Sequence, residues 1–432
     1  MTTMQPMEVE GSSNETKQQS RFQALQHTYL VVYLLVMGAD WLQGPYLYKL
    51  YQSYGLDLVR IALLFLTGFV SGAVAGTALG GLADSWGRRR FCLAFCGITA
   101  VSIVLRLVNN YTLLLTSHVL SGTAAALQYS VFEAWYVSEH ISRGFPSEWR
   151  ARTFAVATFL NGLVAIVAGV VANTAVNMWG FSAPFLISMA LLGVASSTIT
   201  LTWSENYGES SEISTTKRSL TATILDGCRS MWNDTNIMIL GAAQTVFECA
   251  MYIFVLLYTP AVENTAAIHD SDEIPLGYMF STMMFAVMLG SLSFQTLEQR
   301  ASLSSSSSFL RWFTPNKLLA TALAVASCSF ALMVYSESSS LSILIIAFHI
   351  FEFSTGLYYP SISSLKAETI PEETRAAIMT LLRIPMNLGV GLIMWHVNDM
   401  STSMMFALCA TMTLLGFALV SVAYRRKMQS NS

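Results

Sequence analysis

This sequence is short of charge. Asp, Glu, Lys and Arg make up 11% of its 432 residues, where a soluble domain carries about a quarter. So little charge cannot coat a water-facing surface, which excludes a cytosolic enzyme. A net charge of −3 lacks the basic footprint of a nucleic-acid binder, and 53% apolar residues exclude a disordered chain. Cysteine is scarce too. The six present form no CxxC pair and no His/Cys cluster, which excludes a disulfide scaffold or a zinc module. Cys92 and Cys96, four apart in an apolar run, read as small buried side chains. No apolar h-region precedes the first long apolar run. Residues 1–27 are polar (Glu8, Glu10, Lys17, Gln18) and read as a tail, not a cleaved signal.

What the sequence has in abundance is long apolar runs, with a mean hydropathy of +0.51. A bilayer demands about 20 mostly apolar residues per helix, because each backbone polar group must be satisfied within the segment. Twelve runs qualify: 28–48, 61–82, 91–109, 112–137, 152–174, 181–203, 236–259, 276–296, 316–336, 341–363, 376–397 and 402–424. The expected fold class is therefore an all-α membrane protein of twelve transmembrane helices.

Cations set the expected orientation. Most of the 23 Lys and Arg residues fall in the N-terminal tail, the even-numbered loops and the C-terminal tail, among them Arg88, Arg89, Arg90, Arg150, Lys217, Arg300, Lys366, Arg375 and Arg425. Both termini are expected in the cytoplasm. The 260–275 interval carries Glu263, Asp270, Asp272 and Glu273 and no cation, as an outward loop should. The longest polar interval, 204–235, divides the runs six and six. That predicts a bundle over 28–203, a linker over 204–235, a second bundle over 236–424 and a short tail over 425–432. A faint internal repeat agrees with it: Asp40 and Glu248 sit at matching depths of spans 1 and 7, and Phe-Glu recurs at 132–133 and 351–352. A duplicated six-plus-six carrier with a central cavity is the architecture these features favour.

Four carboxylates stand where insertion costs about 2.5–3.5 kcal/mol each. They are Asp40, Glu133, Glu248 and Glu352, in spans 1, 4, 7 and 10, and are expected to line an aqueous cavity, or else to pair with an arginine or cap a broken helix. Arg383, in span 11, reads as the one cation deep in a span: a partner of Glu352 or Glu248, or the contact for an anionic solute. Arg60 and Arg106 lie near span ends and are expected to snorkel to the interface. Gln43, Tyr46, Trp135 and Tyr252 follow the acids and suit solute hydrogen bonding, although Trp and Tyr also form interfacial belts. For Tyr48, Tyr51 and Tyr54 the belt is the favoured reading. Gly44-Pro45 predicts a kink in span 1.

Carboxylates alone repel an anion strongly at low dielectric. An anionic solute would need a matching arginine, or a proton on Asp40, Glu133 or Glu248; a neutral solute needs neither. After span 2 the chain reads Gly80-Gly81-Leu82-Ala83-Asp84-Ser85-Trp86-Gly87-Arg88-Arg89-Arg90. Topology explains the arginines but not the spaced Gly80, Asp84, Gly87 and Arg88. This resembles the G-x-x-x-D-x-x-G-R gating-loop signature of the major facilitator superfamily. Within it, the stretches 39–55, 80–90, 132–149, 247–254 and 382–387 (ADWLQGPYLYKLYQSYG, GGLADSWGRRR, FEAWYVSEHISRGFPSEW, FECAMYIF and LRIPMN) resemble the molybdate-anion transporter family.

That resemblance implies alternating access and uptake of a tetrahedral dianion, with Asp40, Gln43, Glu133, Trp135, Glu248 and Arg383 in family motifs. It implies a plasma-membrane protein with a small inorganic anion as cargo. The chain is further expected to act as a monomer in the lipid bilayer, with no cofactor, no metal and no nucleic acid. One departure stands out: where the superfamily often places an arginine near the start of span 4, this chain has Ser117-His118. The competing expectations are a proton-coupled symporter of a small neutral solute and a non-transporting receptor or scaffold. An enzyme has least support, since no nucleophile–base pair or phosphate-binding loop appears.

Overall fold

The computed structural model describes residues 7–76, 79–128, 130–208, 228–268, 274–303, 313–336, 340–371, 375–397 and 399–430. Among the described residues every long element is an α-helix. In chain order these are α1 (Met7–Trp41), α2 (Gly44–Ser53), α3 (Leu58–Gly76), α4 (Leu79–Trp86), α5 (Arg88–Arg106), α6 (Tyr111–Gln128), α7 (Val131–Ser142), α8 (Ser147–Trp179) and α9 (Ala183–Thr202). After the 204–235 interval come α10 (Thr235–Ile268), α11 (Leu276–Leu303), α12 (Pro315–Ser336), α13 (Leu341–Thr369), α14 (Arg375–Trp395) and α15 (Thr402–Ser430). Among the described residues, all twelve expected spans fall on helices. Nine described helical segments are by themselves long and apolar enough to cross a bilayer. The remaining three spans are α5, which opens on three arginines, the pair α6 and α7, and α14.

The joints have local causes. Span 1 breaks between Trp41 and Gly44, where Pro45 in the first turn of α2 needs no amide partner. Asn110 caps α6, its Oδ1 accepting from the amides of Thr112 (3.0 Å) and Leu113 (3.2 Å). The expected loop at 80–90 is instead largely helix. α4 runs to Trp86, and the turn into α5 is made by Gly87 at φ 110°, a conformation that penalises any Cβ.

Two compact units make up the chain. The first comprises Met1–Gly44, Ser71–Ala168 and Met178–Ser211; the second comprises Pro45–Val70, Gly169–Asn177 and Glu212–Ser432. In the first, Val32, Cys92, Cys96, Ile103, Phe132, Tyr136 and Phe185 are buried. The α1 extension is pinned by Phe22, whose ring lies 4.8 Å from Trp149, 5.7 Å from Phe145 and 6.1 Å from His140. In the second unit an aromatic core gathers Phe247, Phe254, Phe330, Phe348, Phe351 and Phe406, and Phe247 stacks on Tyr358 at 3.8 Å. Glycines let its helices touch backbone to backbone. A Cβ on Gly290 or Gly356 would overlap the carbonyl of Phe353 or Val287 respectively.

The same unit explains why residues 45–70 and 169–177 group with the later helices. Tyr46 donates to Asn173 Oδ1 (2.7 Å) and accepts from the Gly277 amide (3.3 Å). Gly277 in turn faces Gly169 so closely that a Cβ would strike Asn173 Cβ at 2.6 Å. Lys49 pairs with Glu263. Tyr48 and Tyr51 are buried here, which corrects the belt reading: α2 turns these rings into protein. Val74, Val170, Leu201, Leu388, Leu392 and Leu415 are exposed, as lipid-facing positions should be.

Candidate functional site

Three helices of the second unit bring polar groups together. Four-residue spacing puts Gln244, Glu248 and Tyr252 on one face of α10, and eight-residue spacing does the same for Tyr358 and Lys366 on α13. α14 adds Arg383. It packs against α10 because Gly241 leaves room for Leu382, at a position where a Cβ would lie 2.5 Å from Leu382 Cδ2. The Cys249 thiol also donates to the Met386 carbonyl at 3.3 Å. A hydrogen-bonded chain results. Lys366 Nζ donates to Gln244 Oε1 at 2.6 Å, Gln244 Nε2 donates to Glu248 Oε2 at 3.2 Å, and Tyr358 donates to Glu248 Oε1 at 3.4 Å.

Lys366 is 8% exposed, whereas Arg383 is exposed, and both lie within electrostatic reach of Glu248. Among the described residues, two cations thus share one carboxylate, an excess of one positive charge between apolar helices. A unit-charge pair at 4 Å is worth about 4 kcal/mol at an effective dielectric of 20, so such an excess attracts an anion strongly. Lys366 corrects the sequence reading, which placed it in a loop. Helix α13 continues through Pro360 to Thr369, past the expected end at 363, and the lysine stem is buried with it. Tyr252 packs on Phe69 at 4.2 Å. Glu352 is buried on the same helix as Lys366, beside Tyr258.

The first unit holds a second buried cation. Arg106, expected to snorkel, is 7% exposed, and its Nη1 donates to Gln43 Oε1 at 2.6 Å. Gln43 also donates to the Ala39 carbonyl (2.9 Å) and Ser188 Oγ (3.1 Å), so it serves as a clamp on the guanidinium. Asp40 is exposed within electrostatic reach of Arg106, and His118 is buried within the same reach. Span 3 thus sets a buried cation within reach of His118 of span 4. Trp41 donates to Asn161 Oδ1 at 2.9 Å.

Glu133 is exposed and lines a groove of about 660 Å³ with Arg88, Ser130, Ser138, Ser142 and Tyr207. Its neighbour Trp135 is 1% exposed; it stacks on Trp203 at 3.6 Å and donates to the Ser204 carbonyl at 2.8 Å, a bracing position. In the glycine–arginine signature, Gly80 lies within α4, and Asp84 forms an ion pair with Arg88 at 2.7 Å. Arg88 Nη1 donates to the Ala134 carbonyl (3.2 Å) and the Arg89 amide to Glu205 Oε1 (2.8 Å). These arginines tie α4, α5, α7 and the 204–208 segment together, so they do more than set topology. Sequence reasoning passed over Gln244 and gave Lys366 and Arg106 only topological or interfacial roles. Gln244 was visible four residues before Glu248; the other two required knowing which helix faces meet.

Residues 5–348 match a family described as sugar transporters, 12 TM. A molybdate-anion transporter of Xenopus tropicalis is 34% identical over 411 residues, covering 92% of this chain and 85% of that protein. One from Danio rerio is 33% identical over 434 residues, covering 91% and 85%. Among solved structures, the nucleoside transporter NupG matches with a TM-score of 0.70 at 13% identity, over 93% of this chain and 99% of that one. The last likeness carries the fold and not the substrate.

Proposed function

Because the chain belongs to the molybdate-anion transporter family of the major facilitator superfamily, we propose that it carries molybdate, a tetrahedral oxyanion, into the cell by alternating access. The observation that carries this reading is the excess positive charge at Lys366 and Arg383 against Glu248. A buried lysine is expensive between apolar helices, and an anionic cargo gives it a counter-charge. Arg106 in the first unit adds a further buried cation. The family's fold supports the six-and-six division around the 204–235 linker. The positive-inside pattern supports cytoplasmic termini; inward carriage, a monomeric state and the plasma membrane belong to the proposal.

The test is molybdate uptake by purified protein in liposomes, with and without an inward proton gradient, beside Asp40→Asn and Arg383→Ala. Saturable uptake that sulfate competes poorly, lost in Arg383→Ala, is the expected result. Absence of uptake above empty liposomes by folded, inserted protein refutes it. A second reading, proton symport of a small neutral solute, is favoured by the description of the matched family as sugar transporters. Under that reading, Arg383→Ala leaves uptake of the true solute intact.

A further inference from the structure

The groups acting on Glu248 are the cations Lys366 from α13 and Arg383 from α14, the Tyr358 hydroxyl from α13 and the Gln244 amide from its own helix. Tyr252 and Cys249 also face it from α10, and α15 brings Cys409 toward Cys249. With Glu248 ionised, its carboxylate is the resident counter-ion of both cations. A dianion arriving at Lys366 and Arg383 then meets a negative group already using them, and the loaded cluster would carry a net negative charge between apolar helices. With Glu248 protonated, two cations meet a dianion and the charges cancel.

Resting on the oxyanion reading, we propose that Lys366, Arg383 and Gln244 form the anion site and that a dianion loads only as Glu248 takes up one proton, so that proton and oxyanion travel together. Gln244 suits both states. Its carbonyl holds Lys366 while its amide donates to Glu248, and this bridging keeps ammonium and carboxylate from collapsing into a direct pair. Lys366 spends one of its three N–H donors on Gln244, leaving an ammonium face for oxyanion oxygens. Tyr358 suits both states as well: its hydroxyl donates to the carboxylate and, by rotating, accepts from the neutral acid. When the proton leaves, Glu248 reclaims the cations and expels the anion.

The experiment needs two readouts. Molybdate affinity of the purified wild type is measured by calorimetry between pH 6 and 8, with proton uptake counted in weak buffer. Glu248→Gln, which mimics the neutral acid, is measured in parallel. Expected for the wild type is uptake of about one proton per molybdate, and affinity falling about tenfold per pH unit above the point where free Glu248 ionises. Expected for Glu248→Gln is binding and molybdate exchange independent of pH, with gradient-driven accumulation lost.

Wild-type binding without proton uptake overturns the inference and leaves the oxyanion reading standing. So does a Glu248→Gln variant whose binding keeps the wild-type pH dependence, which transfers the proton to another acid. No molybdate binding by folded wild type overturns both. Should Glu248→Gln not fold, the wild-type proton count decides alone.

Discussion

Lys366→Met removes one of the two cations facing Glu248 while keeping an unbranched, apolar side chain of similar reach. The lysine is 8% exposed and its ammonium sits 2.6 Å from Gln244 Oε1, so the charge it offers an anion is largely desolvated. Truncating one partner of a buried charge pair costs about 2–5 kcal/mol. Because Arg383 shares the load, the lower half applies, about 3 kcal/mol, or roughly a 150-fold loss of molybdate affinity. Stability should fall far less, by about 1 kcal/mol, since the stem is replaced and only Gln244 Oε1 loses its donor. Lys366→Arg keeps the charge but swaps a compact ammonium for a planar fork, so an intermediate loss is expected. Adding Glu248→Gln to Lys366→Met should recover part of the affinity, because the remaining cation is no longer matched by a fixed carboxylate. Calorimetric Kd and uptake KM, alongside thermal stability in detergent, read all of this. A folded Lys366→Met variant whose KM stays within about threefold of wild type would refute the assignment, given the size of the expected loss.

Three further outcomes follow from the packing. Arg106→Met should destabilise the protein by about 2–3 kcal/mol, through the loss of a buried charged hydrogen bond to Gln43, seen as a lower melting temperature; an unchanged melting temperature would mean the clamp is idle. Gly277→Ala pushes a methyl into the Gly169 carbonyl and Asn173; overpacking of about 1–3 kcal/mol should appear as lost stability, and Gly97→Ala, with open space around it, should not show it. His140 is buried, and that burial, aided by the nearby Arg150, holds its pKa below the ordinary histidine range. Below about pH 6.5 the unfolded chain therefore gains a proton that the folded chain resists, and stability falls with acid. His140→Phe should flatten that acid limb in melting curves taken from pH 7.5 to 5.5; an unaltered limb would place the effect elsewhere.

Composition and apolar run length were enough to establish helical spans, to count them and to exclude soluble classes, because a bilayer imposes length and apolarity on each span separately. The acids Asp40, Glu133, Glu248 and Glu352 stood out for the same local reason: a charge in an apolar run is anomalous wherever its partners lie. Gly87 was legible too, from its place in the spaced glycine–arginine signature, and the turn at φ 110° beside Glu205 gives the physical reason for it. What the runs could not disclose is which faces meet. Arg106 looks like a span-end cation and Lys366 like a loop cation by position, and only tertiary packing buries them, with Gln43 and Gln244 as their partners. Trp135 looks like a solute contact until Trp203 covers it. Pairings of this kind join residues more than 60 positions apart. Their energy depends on distance and dielectric, quantities set by tertiary packing and absent from any single stretch of chain.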